Sequence, residues 1–131
     1  MTERFHFYLE ACREDIAQIL EIAKNGTDVI CDRLVTSTSV HHQSMDEQLD
    51  VSEAEALDKE IPKVQILLKA TRNTIITRLS QRGNLSRFEQ DANLFVKTQN
   101  RFLLRRNDLI ISTDECNVEQ ALRAASSFLY A

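Results

Sequence analysis

The stretch LSRFEQDANLFVKTQNRFLLRRNDL, residues 85–109, carries the fold this sequence suggests. Leu85, Phe88, Ala92, Phe95, Gln99, Phe102, Arg106 and Leu109 recur at alternating steps of three and four, the spacing that keeps one stripe of an α-helix facing one partner. Ser86-Arg87-Phe88-Glu89 just inside it has the form of a capping box, so the spacing predicts one helix over 85–109, roughly 37 Å long at about 1.5 Å per residue. A face of that length needs a cover.

Working back toward the N-terminus, Leu57, Ile61, Val64, Leu68, Thr71, Ile75 and Leu79 continue a helical stripe. Ser52-Glu53-Ala54-Glu55 offers its cap, and Pro62 interrupts it. Because the phase carries through Pro62, the pattern predicts a kinked helix over 52–82, in place of a short helix ending at Lys59 and a second one opening on Pro62. Phe5, Leu9, Cys12, Ile16, Ile19, Ala23, Gly26 and Ile30 likewise predict a first helix over 3–36, weakened but unbroken at Gly26. Between them, residues 37–51 are the most polar run, with His41-His42-Gln43-Ser44, and read as a loop. Toward the C-terminus, Asn117 followed three residues later by Gln120 predicts a short amphipathic helix over 117–129.

Two glycines and one proline in 131 residues suit a few long helices better than a sheet with many turns. The expected fold is therefore all-α: one domain over 1–131, an elongated antiparallel bundle of three long helices plus a short C-terminal one, with coiled-coil-like packing. No segment approaches eighteen consecutive apolar residues and the N-terminus lacks a signal peptide's layout, so no membrane partner and an intracellular location, cytoplasmic or nuclear, are expected. Cys12, Cys31 and Cys116 are too few and too scattered for a disulfide framework or a CxxC site.

Chemistry is hard to place in this sequence. The adjacent imidazoles of His41 and His42 point about 100° apart on a helix and cannot chelate as an i, i+4 pair does. Paired carboxylates such as Glu14-Asp15 and Asp46-Glu47 fall where solvation explains them. The two glycines are Gly26 and Gly83, so no glycine-rich phosphate loop occurs, and GxSxG and HExxH are absent. No catalytic residue, cofactor or metal is expected, and a non-enzymatic protein follows.

Charge divides the chain. Residues 1–60 hold fourteen Asp and Glu against five Lys and Arg, net −9; residues 61–131 hold six against eleven, net +5. Lys97, Arg101 and Arg105, at i, i+4 and i+8 of the expected central helix, form a basic ridge that ends near Arg106. These four are the candidate partner-binding residues. The expected function is a helical protein–protein interaction module, self-associating or a small subunit or adaptor of a larger complex, whose partners are protein helices of its own kind or another. The alternative is a nucleic-acid-associated protein using the same arginines.

Overall fold

The computed structural model describes residues 1–131, which divide into two compact units, Met1–Pro62 and Lys63–Ala131. The acidic and basic halves of the sequence coincide with these units. Six helices and a two-stranded parallel sheet replace the expected bundle of three long helices.

The first unit holds α1 (Thr2–Lys24), α2 (Val35–Met45) and α3 (Ser52–Lys59). One face of α1 is buried through Phe5, Leu9 and Ile16, which pack with Val35, Leu49, Val51, Ala54 and Ile61. Full burial of an aliphatic or aromatic side chain is worth about 1.5–3 kcal/mol, so these eight residues carry the unit. The predicted helix over 3–36 ends at Lys24. Gly26 sits at φ +80, and its N–H donates to the Ala23 carbonyl at 2.9 Å, a left-handed helix stop that outweighs the stripe's continuing phase. The β-branched Val29 and Ile30 then lie outside any helix or strand, and Ile30 is 92% exposed.

The predicted loop over 37–51 is another correction, because most of it is α2. Its polar side chains return to their own helix: Ser39 Oγ donates to the Thr36 carbonyl at 2.9 Å, Ser44 Oγ to Val40 at 2.7 Å, and the Nδ1 atoms of His41 and His42 bond the Ser37 and Thr38 carbonyls at 2.8 Å each. Satisfied in this way, hydroxyl groups can be buried, as those of Ser37, Ser39 and Ser44 are, whereas buried His42 is bonded at Nδ1 and leaves Nε2 without a partner. The capping box read at Ser52 does not form. The N-cap residue, Val51, has no side-chain acceptor to offer, and Asp50 Oδ1 accepts the Ser52 N–H at 2.9 Å in its place.

The second unit holds β1 (Ile66–Lys69), α4 (Arg72–Gln81), α5 (Ala92–Leu103), β2 (Leu109–Ser112) and α6 (Val118–Leu129). β1 and β2 pair in parallel with Ile66 opposite Leu109 and Lys69 opposite Ser112, and α4 and α5 form the crossover that a parallel pair requires. The predicted kinked helix over 52–82 is thus broken into α3, β1 and α4. Pro62 removes a donor and the run beyond it finds a strand partner. The Gln65 N–H donates to Asp108 Oδ2 at 2.8 Å and the Asp108 N–H returns to the Gln65 carbonyl at 2.8 Å, setting the register.

The helix expected over 85–109 is also divided. The Ser86–Glu89 box forms, with the Ser86 N–H on Glu89 Oε2 at 2.9 Å and the Glu89 N–H on Ser86 Oγ at 3.2 Å, yet it closes a turn. The helix starts at Ala92 with Asp91 as its cap, and Asn107 ends it by donating to the Phe102 and Arg105 carbonyls, each at 2.9 Å. Gln99, the polar break in the stripe, binds Ala70 just past β1: its Nε2 donates to the Ala70 carbonyl at 2.8 Å and its Oε1 accepts the Ala70 N–H at 2.9 Å. The C-terminal helix forms as expected, with the Asn117–Gln120 capping box in place.

Candidate functional site

Of the four residues picked from the sequence, only Lys97 and Arg101 lie on α5. Arg105 and Arg106 fall beyond its end at Leu103, so the i, i+4, i+8 ridge does not form as one row. Lys97 is exposed, Arg101 and Arg105 are half-buried, and all three interact with other groups of the protein. Arg106 pairs with Asp108 at 3.1 Å and does not reach a core.

Other arginines of the second unit are held as well. Arg78 donates to Thr113 Oγ1 at 2.7 Å and to its carbonyl at 2.9 Å, Arg82 pairs with Glu89 at 2.6 Å, and Arg123 pairs with Glu119 at 3.1 Å. In parallel sheets ligands bind beyond the carboxyl ends of the strands. Here that end carries Thr71, Thr74, Ser112 and Asp114. Asp114 accepts the Thr71 N–H at 2.9 Å and the Thr71 hydroxyl at 2.8 Å, so a carboxylate already sits at the N-terminus of α4. The Thr74 hydroxyl first, then Thr71 and Ser112, hold its pKa down to about 2. Asp91 caps α5 and Asn117 caps α6.

The first unit is different. The irregular segment after α1 leads through Asp32 to Arg33, whose backbone is left-handed at φ 71, and α2 begins two residues on. Its N-cap residue, Leu34, makes no side-chain cap and its first turn holds no acidic residue, although Asp58 of α3 accepts the Thr36 hydroxyl there at 2.8 Å. Arg33 is exposed, so a guanidinium and an uncapped helix N-terminus lie within one turn of chain. That combination suits an anion: the aligned peptide dipoles favour negative charge there and a guanidinium binds phosphate oxygens in pairs. Ser37 Oγ lies 3.2 Å from His41 Nδ1 along the same helix. Burial lowers the pKa of His41; the Ser37 carbonyl opposes this, while Arg33 and His42 add to it, so the imidazole is neutral at pH 7. Beyond the other end of α2, an open cleft of about 510 Å³ is lined by Asp46, Asp50 and Glu53 together with Thr2 and His6, a lining that repels phosphate.

A family model of thymidylate kinase matches residues 1–121. The chain belongs to the thymidylate kinase family. Neither a curated protein nor a solved structure matches it. Membership in a family of nucleotide kinases with an α/β P-loop fold overturns the expectation of a non-enzymatic interaction or nucleic-acid-associated module, and with it the all-α class. No helix of this thymidylate kinase family chain is long and apolar enough to cross a membrane.

The triphosphate of a donor nucleotide does not fit the residues present. A P-loop cradles phosphates with consecutive backbone N–H groups that glycines leave accessible, and a lysine completes it. Gly26 and Gly83 are remote from each other in sequence, and α4, α5 and α6 are closed by their own side chains. Reading the sequence missed Arg33 because the helical stripe runs in phase through Gly26. The overlooked signal was Gly26 followed by the polar Asp32-Arg33 pair ahead of a hydroxyl-rich run, the layout of a helix stop and a connection into a new helix.

Proposed function

We propose that this chain provides the acceptor side of a nucleotide kinase and binds thymidylate by its phosphate at the entry to α2. The observation that carries the reading is Arg33, exposed and held in a left-handed turn before a helix whose N-cap residue, Leu34, supplies no side-chain cap. Its guanidinium takes two phosphate oxygens, and the N-terminal dipoles of α2 favour the same charge. Offsetting the phosphate's negative charge lowers its repulsion toward an incoming phosphoryl group, which is where most of the catalytic benefit in phosphoryl transfer lies. The neutral His41 adds no charge of its own at pH 7.

Calorimetric titration with thymidylate tests this. A hydrogen-bonded charge pair contributes about 1.5–3 kcal/mol, so Arg33→Ala weakens binding roughly 10- to 100-fold, whereas Arg72→Ala, an exposed arginine of α4, leaves it unchanged. Thymidine, which lacks the phosphate, binds the wild-type chain no better than thymidylate binds Arg33→Ala. Equal affinities of wild type and Arg33→Ala for thymidylate sink the assignment.

A further inference from the structure

Ser37 and His41 stand one turn apart on the same face of α2. His41 Nδ1 lies 2.8 Å from the Ser37 carbonyl and 3.2 Å from its hydroxyl. A carbonyl only accepts, so Nδ1 carries the hydrogen, and the ring is held in one tautomer with Nε2 as its basic nitrogen. His42 is arranged alike, with Nδ1 2.8 Å from the Thr38 carbonyl, yet its ring is 5% exposed and enclosed by Phe5 and Tyr8, each with its ring centre 5.5 Å away. His41 is half-buried, so protons from solvent reach it more readily. Burial above all, then the charges of Arg33 and His42, keep that ring neutral in the free chain against the pull of the Ser37 carbonyl. The helices packed on α2 bring further groups. From α1 come Tyr8, with Arg4 5.9 Å over its ring, and Cys12, 3.4 Å from the Thr38 hydroxyl; from α3 comes Asp58, 2.8 Å from the Thr36 hydroxyl. Of all these charges, the one that a phosphate at the entry to α2 offsets is that of Arg33.

We propose that thymidylate binding draws a proton onto His41 Nε2, so that this histidine tunes the phosphate site to pH. The inference rests on the Arg33 reading above. A phosphate held by Arg33 cancels the repulsion between the guanidinium and the ring and adds negative charge of its own, and both changes favour the imidazolium. The proton comes from solvent, and the only bond formed is the N–H at Nε2. Coupling of this kind is reciprocal: a phosphate that favours the proton is itself bound more tightly once the proton is there. Thymidylate affinity therefore rises as pH falls below 7, and one charge about 10 Å away through partly aqueous surroundings changes it roughly threefold.

NMR of the histidine ring signals against pH, with and without saturating thymidylate, tests this on the wild-type chain. The His41 midpoint is expected to move up on binding and that of His6, on α1, to stay. Arg33→Ala raises the His41 midpoint in the free chain, and thymidylate moves it no further. Calorimetry in two buffers of different ionisation heat counts the protons. Wild type takes up more than His41→Asn, which keeps an N–H where Nδ1 stands and does not titrate, and thymidine, lacking the phosphate, drives no uptake in either. From pH 8 to pH 6 the wild type gains about threefold in thymidylate affinity over His41→Asn. The second ionisation of the phosphate, at about 6, weakens binding to both proteins alike and cancels in that comparison. A His41 midpoint that thymidylate leaves in place, while Arg33→Ala still weakens binding, overturns the inference and leaves the Arg33 site standing. Equal proton uptake by wild type and His41→Asn overturns it too. Unchanged affinity in Arg33→Ala removes the Arg33 site and the inference with it.

Discussion

Truncating Gln99 to alanine measures how much one side-chain amide contributes to joining α5 to the sheet. The amide makes two hydrogen bonds with Ala70, at 2.8 and 2.9 Å, and a typical net value is about 1 kcal/mol each. Ala70 and Gln99 are both half-buried, so water replaces part of what is lost and about 2 kcal/mol is the expected destabilisation. For a unit of this size that corresponds to a fall of about 8–16 °C in melting temperature. Urea unfolding followed by circular dichroism gives the energy, and amide exchange at Ala70 gives its location. Gln99→Glu adds a sign: its carboxylate still accepts the Ala70 N–H but faces the Ala70 carbonyl, so it is destabilising at pH 7 and partly recovers once protonated. A Gln99→Ala protein within 0.5 kcal/mol of wild type, with unchanged exchange at Ala70, refutes the reasoning.

Gly26→Ala meets no atom within 4 Å, so its cost is purely that of the left-handed backbone at φ +80, about 1 kcal/mol, read as a lowered melting temperature. A neutral result there means the helix stop does not need glycine. The depressed pKa of Asp114 makes its contribution fully present above the ordinary carboxylate value near 3.9 and lost as pH falls through about 2. Carboxyl chemical shifts place its midpoint, and Asp114→Asn removes this part of the acid dependence. Arg33→Ala completes the set through its thymidylate affinity.

Local signals in the sequence were legible where they involved neighbouring residues. The Asn117–Gln120 box sits where its spacing places it, Phe5, Leu9 and Ile16 are buried in the phase their spacing predicts, and the Ser86–Glu89 pair forms its reciprocal bonds. What failed was the inference from phase to continuity. Val64 to Leu68 and Leu109 to Ile111 are short apolar runs that read equally well as helix segments or buried strands. Their pairing spans 43 residues of chain at Ile66 and Leu109, and no local pattern encodes it. Arg33 was invisible for the same reason: its meaning depends on the helix stop at Gly26, which the stripe seemed to override.

By itself, the sequence determined where helices can start, which residues are apolar on one face, the opposed charges of the two halves, and the lack of a glycine-rich phosphate loop. Only the tertiary structure decided that residues 66–69 and 109–112 are strands, that the polar run after Leu34 is a helix able to bury its hydroxyls, and that Gln99 grips a strand end. The physical reason is that caps and stripes arise from contacts within one or two turns, whereas a strand exists only once a distant partner accepts its hydrogen bonds.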